Sequence, residues 1–74
     1  LSYKTIQLLQ VSCPRCQADV AVAEHETIER DGETEHESQL RCGDAVCTYE
    51  AFGFSDQTMD AAMVNALDSY RSLT

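Results

Sequence analysis

Four cysteines constrain this chain more than any other feature. "CPRC" at residues 13–16 and "CGDAVC" at residues 42–47 give the spacing C-x2-C, 25 intervening residues, then C-x4-C. Two residues between Cys13 and Cys16 let the backbone turn so that both sulfurs face one point, and a second knuckle completes the four thiolates that zinc takes in a closed structural site. Pro14 stiffens the first knuckle by fixing φ, and Gly43 relaxes the second. Metal ligands are therefore expected at Cys13, Cys16, Cys42 and Cys47, with one Zn2+ per chain. Paired disulfides need an oxidising compartment that nothing in the sequence indicates. A redox C-x2-C needs a helix starting at the motif, whereas the residues after Cys16 read as a strand. Iron stays open beside zinc because thiolates alone do not choose strictly, although the second knuckle is longer than the paired C-x2-C of a rubredoxin. His25 and His36 are left out of the ligand set, since four cysteines already fill a tetrahedron.

Length explains why a metal would be needed. With 74 residues, no Trp, two Phe and three Tyr, residues 1–74 make one domain with little apolar core to set against the entropy of ordering it, and domains this small commonly add a disulfide or metal staple. No apolar run approaches the roughly 18 residues of a membrane span, and the N-terminus lacks a signal-peptide pattern, so the chain is expected in the cytoplasm.

Between the knuckles, Val20 and Val22 alternate with small or polar residues and Asp31-Gly32 marks a reversal, the pattern of a β-hairpin. Two registers compete. A two-residue Asp-Gly loop sets Val22 across from Arg41 and Glu26 across from Glu37. A three-residue Arg30-Asp31-Gly32 loop sets Val22 across from Leu40, Val20 across from Cys42, Glu26 across from His36 and His25 across from Glu37. The second is the expectation, because apolar meets apolar and acid meets histidine. "TYEAFGF" follows as a strand with Phe52 and Phe54 on one face, and "SYKTIQLLQV" leads into the first knuckle as another. A helix capped by Ser55 or Thr58 then runs over about 56–72. Its apolar face comprises Met59, Ala62, Met63, Ala66, Leu67, Tyr70 and Leu73, expected to pack on Phe52, Phe54, Ile6 and Leu8, with a partner groove or dimer seam as the alternative. The predicted fold is a small α+β zinc ribbon: a three- or four-stranded antiparallel sheet, two cysteine knuckles and one C-terminal amphipathic helix.

Charge sets the function class. Residues 24–37 hold Glu24, Glu26, Glu29, Asp31, Glu33, Glu35 and Glu37 against Arg30 alone, in a chain of formal charge −8. Four thiolates and one Zn2+ add a net −2, with Arg15 and Arg41 beside the knuckles to offset it. Glu29, Asp31, Glu33, Glu35 and Glu37 at the hairpin tip are therefore candidate contacts for a basic protein partner, the alternative being a solvated turn.

The C-P-x-C knuckle, the hairpin-length insert, the C-x4-C knuckle and the "TYEAFGF" strand resemble the Ogr/Delta-type zinc fingers of tailed phages over residues 13 to about 54. "SDQTMDAAMVNALDSYRSL" is also similar to the end of Lar-type restriction-alleviation proteins. The first resemblance implies zinc on Cys13, Cys16, Cys42 and Cys47 and a late-transcription activator that acts at promoters in contact with RNA polymerase, in a host cytoplasm. Charge departs from that family. Duplex DNA is held by releasing counterions with Lys and Arg, and the five basic residues Lys4, Arg15, Arg30, Arg41 and Arg71 are scattered. The expectation is a non-enzymatic zinc-binding regulator or adaptor that docks on RNA polymerase or a nucleic-acid-processing enzyme through the acidic hairpin, the helix or both. The alternative is an activator that touches DNA and RNA polymerase directly. Catalysis is disfavoured because all four cysteines are committed to metal. Monomer or dimer is left open.

Overall fold

A computed structural model describes residues 2–72. Four strands form one antiparallel sheet in the order β1-β2-β3-β4: β1 (Ser2–Leu9), β2 (Ala21–Arg30), β3 (Glu33–Cys42) and β4 (Glu50–Ser55). Helix α1 (Met59–Arg71) follows. Among the described residues, no helix is long and apolar enough to cross a membrane.

The hairpin turns on two residues. Asp31 and Gly32 both have positive φ, 53° and 79°, the conformation whose twist matches the right-handed twist of the flanking strands. The register is accordingly Val22↔Arg41, Glu26↔Glu37 and Ala21↔Cys42, not the three-residue loop expected from sequence. The acid-histidine pairs of that expectation do not form: His25 lies across from Ser38, and His36 from Thr27. The reason is that the buried face is built from small side chains. Ala21, Ala23, Ser38, Leu40, Cys42, Ala51 and Gly53 alternate onto the helix side, so pairing Val22 with Leu40 would have gained nothing there.

Helix α1 starts at Thr58, whose extended backbone (φ −139°) and Oγ1, accepting from the Ala61 N–H at 3.0 Å, form the N-cap. Asp60 in the first turn and Arg71 in the last complement the helix dipole. The helix lies across β3 and β4 and reaches only the margin of β2. Ala62, Ala66 and Tyr70, four residues apart, are its buried line, with Met59, Met63 and Leu67 half-buried beside it. Leu73, assigned to the same face from sequence, lies outside the described residues. Close approach requires Gly53: a Cβ there would overlap the Ala62 carbonyl and the Ala66 nitrogen. The expected packing on Phe52, Phe54, Ile6 and Leu8 is corrected by this seam. Those four side chains alternate onto the opposite face of the sheet, where they remain 42, 52, 63 and 69% exposed.

The β1–β2 and β3–β4 connections leave the same end of the sheet, opposite the Asp31-Gly32 turn. The first carries Cys13 and Cys16. The second runs from Cys42, the last residue of β3, to Cys47. Helix α1 returns toward that end, bringing Tyr70 beneath them.

Candidate metal centre

Each knuckle is shaped by its own backbone hydrogen bonds. In the first, the Gln17 N–H donates to the Cys13 carbonyl and the Cys13 N–H to the Ala18 carbonyl, both at 2.8 Å, with Gln17 in the left-handed region at φ 67°. In the second, the Val46 N–H donates to the Asp44 carboxylate at 2.9 Å and the Cys47 N–H to the Asp44 carbonyl at 3.2 Å, closing an Asx turn. The knuckles are then tied together. Gly43 donates its N–H to the Val20 carbonyl at 2.9 Å, and any side chain at that position would overlap Val20. Gly43 is thus needed for contact between the loops rather than for backbone freedom within one, since of the glycines only Gly32 has positive φ.

The ligand atoms of Cys13, Cys16, Cys42 and Cys47 lie within 4.8 Å of one another. Cys13 and Cys47 are 4.0 Å apart at sulfur, and Cys16 and Cys42 3.3 Å. A tetrahedron with metal–sulfur bonds of ~2.3 Å has sulfurs roughly 3.8 Å apart, so this spacing fits a four-thiolate metal ion. It does not fit disulfides, whose sulfurs approach to about 2.05 Å, and all four cysteines are free. Cys13 and Cys42 are buried, Cys47 half-buried and Cys16 exposed.

The electrostatics of the bare thiols show what a cation would supply. Burial works against the Cys13 thiolate, but the N–H groups of Cys16 and Arg15 outweigh it and lower its pKa from 9.0 to about 6. The Ala18 N–H favours the Cys16 thiolate, yet the neighbouring Cys42 thiol and desolvation prevail and raise it to about 12. Cys42 is likewise raised: the Asp44 N–H, 3.4 Å from its sulfur, favours the thiolate, and desolvation opposes it. One thiolate forms readily, while Cys16 and Cys42 are held protonated. A divalent cation reverses that order by binding all four.

Tyr70 completes the arrangement from below. Among the described residues its buried hydroxyl has no partner at full hydrogen-bonding geometry, the adjacent acceptor being the Cys13 sulfur. Burial first, and then the adjacent Cys13, push its ionisation up. A buried donor beside sulfurs is suited to a cluster of thiolates, which accept hydrogen bonds. Tyr49 packs against Tyr70 with the rings tilted 55° and their centroids 5.0 Å apart, and donates its hydroxyl to the Tyr70 carbonyl at 2.7 Å, fixing the last turn of the helix. Comparison with family models, curated proteins and solved structures finds no match to this chain.

The remaining sequence candidates lie elsewhere. His25 is buried between sheet and helix, its Nδ1 2.8 Å from the Ser38 hydroxyl and its Nε2 3.3 Å from the Gln7 amide oxygen; His36 meets the Thr27 hydroxyl at 2.9 Å. Arg15 lines the exposed side of the metal site with Cys16 and Cys47, but Arg41 is on the open sheet face, where alternation turns it away from Cys42. Glu29, Asp31, Glu33 and Glu35 are exposed at the tip, and among the described residues no strand flanks the rungs Glu29↔Thr34 and Arg30↔Glu33. Glu37 is half-buried on the open face and separate from them. Sequence reasoning placed Tyr70 on the helix and missed it beneath the sulfurs. Its spacing from Ala62 and Ala66 gave the face, and only the return direction of the helix gives the neighbour.

Proposed function

We propose that this chain is a non-enzymatic zinc-binding regulator or adaptor that docks on a protein of the transcription or nucleic-acid-processing machinery, phage-encoded as its Ogr/Delta-type resemblance implies. The observation that carries the reading is the convergence of four sulfurs, contributed in pairs by two loops, at tetrahedral spacing. Zinc suits such a set because it is content with four thiolates and has no redox chemistry to control. With all four positions taken by protein, the ion has no vacancy for water or substrate, which supports a structural role. The formal charge of −8 supports protein contact over independent binding to nucleic-acid phosphates.

The test is capture from a host lysate on the zinc-loaded chain, with identification of what is retained, beside a gel shift of the purified chain on promoter DNA. Retention of RNA polymerase or a nuclease, with no shift on DNA, is expected. A salt-sensitive shift by the chain alone would move the assignment to a DNA-contacting activator.

A further inference from the structure

The sheet presents one face to the helix and leaves the other open, and the two are built from opposite kinds of residue. The small side chains are covered. On the open face Ile6 and Leu8 of β1 form one apolar rail and Phe52 and Phe54 of β4 the other, the two rings lying parallel with centroids 6.4 Å apart. Between the rails the floor is acidic. Glu24 and Glu26 of β2 and Glu37 of β3 alternate onto it, with Glu26 and Glu37 directly across from each other, while the one cation of the β3 floor, Arg41, stands at the knuckle end in register with Glu50 of β4. Like charges at opposed positions destabilise a sheet, and this pair has no ion-pair partner among the described residues: Lys4, the cation nearest in register, reaches Glu24 instead, at 3.9 Å. Toward the turn the face deepens into a cleft whose walls include Ile28 and Phe54 and whose lining sets Glu33, Glu35 and Asp56 against Arg30.

We infer that the open face, rather than the hairpin tip or the helix, is the docking surface, and that its occupant is a cationic protein segment about one α-helix wide. Three strand spacings separate the rails by roughly 14 Å, enough to seat a helix some 10–12 Å across. Its Lys or Arg side chains meet Glu26 and Glu37, and the apolar residues flanking them cover Ile6 and Leu8 on one side and Phe52 and Phe54 on the other. Charge chooses this occupant. A second copy of the chain would set one acidic floor against another, and a nucleic acid would bring phosphates to it. The inference rests on reading the chain as a docking module but not on which protein it docks with.

The test uses the metal-loaded chain and synthetic peptides, so it does not depend on the natural partner. One peptide is a helix with a Lys stripe between two Leu rows; the control has the same composition scrambled so that no stripe forms. Expected are NMR shifts at Ile6, Leu8, Phe52 and Phe54 with the first peptide, and weakening of at least about tenfold by Glu26→Gln with Glu37→Gln, a change that preserves side-chain shape. Phe54→Ser should weaken binding similarly with metal content unchanged. Equal binding of the scrambled peptide, shifts confined to the Asp31-Gly32 turn or the helix, absence of binding, or a solution dimer that covers Phe52 and Phe54 would each overturn the inference. Loss of the proposed function would show instead as absence of zinc, or as no machinery component captured, with the peptide result unaffected.

Discussion

Tyr70 sits where a hydroxyl has no reason to be unless something accepts from it. Buried, without a well-formed hydrogen bond among the described residues and beside Cys13, it is costly with thiols and useful with thiolates. Tyr70→Phe is therefore expected to cost the metal-loaded protein about 1.5–3 kcal/mol, the range for a hydrogen bond to a charged group. Thermal melts of the two loaded proteins measure it, and a gain in stability would mean that no thiolate accepts. Cys13 is the ligand whose thiolate forms most readily before a cation arrives. Its folded pKa is depressed to about 6 from 9.0, so its contribution is complete above the ordinary thiol value and lost as pH falls through about 6. Cation binding lowers thiol pKa values further. A dye titration should then find the metal held at neutral pH and released as the pH falls, and release near pH 8 would contradict the arrangement.

At the scale of elements, the seam between β4 and α1 depends on how closely two backbones approach. Gly53→Ala forces a methyl against the Ala62 carbonyl and should cost about 1–3 kcal/mol or more by overpacking. Phe52→Ala, on the exposed face of the same strand, should change stability far less. Denaturant melts of the two variants test which side of the sheet is the core, and the reverse ranking would refute the seam. This is also where the sequence was only partly legible. Alternation showed the strands, and the spacing of Ala62, Ala66 and Tyr70 showed the helix face. Choosing the larger residues as the buried ones then inverted the sheet, because a helix lying on a strand backbone needs Ala and Gly beneath it. The hairpin register failed for the same reason: pairing Val22 with Leu40 presumed that both were core. The Asp31-Gly32 turn chemistry had pointed to the observed register.

For the whole molecule, the balance of forces follows from that choice. The core cluster consists of Cys13, Ala21, Ala23, Leu40, Cys42, Ala51, Ala66 and Tyr70, of which only Leu40 and Tyr70 are large. At roughly 25 cal/mol per Å2 of apolar area, such a core offers little against the ordering of 74 residues. The formal charge of −8 opposes compaction further. A structural zinc site contributes about 10–16 kcal/mol at neutral pH, larger than what this core can supply. The convergence of the four cysteines was legible because C-x2-C and C-x4-C state their geometry within a few residues. The make-up of the open sheet face was not, since it depends on which residues four strands bring side by side. Folding and metal binding are thus one equilibrium on this account, and Cys42→Ser should abolish both. The most direct measurement is native mass spectrometry of the chain purified under reducing conditions, with circular dichroism before and after a chelator. One zinc per chain, no disulfide, and loss of the fold on chelation are predicted; a folded, metal-free chain with two disulfides, or one that keeps its fold after the zinc is removed, would contradict it.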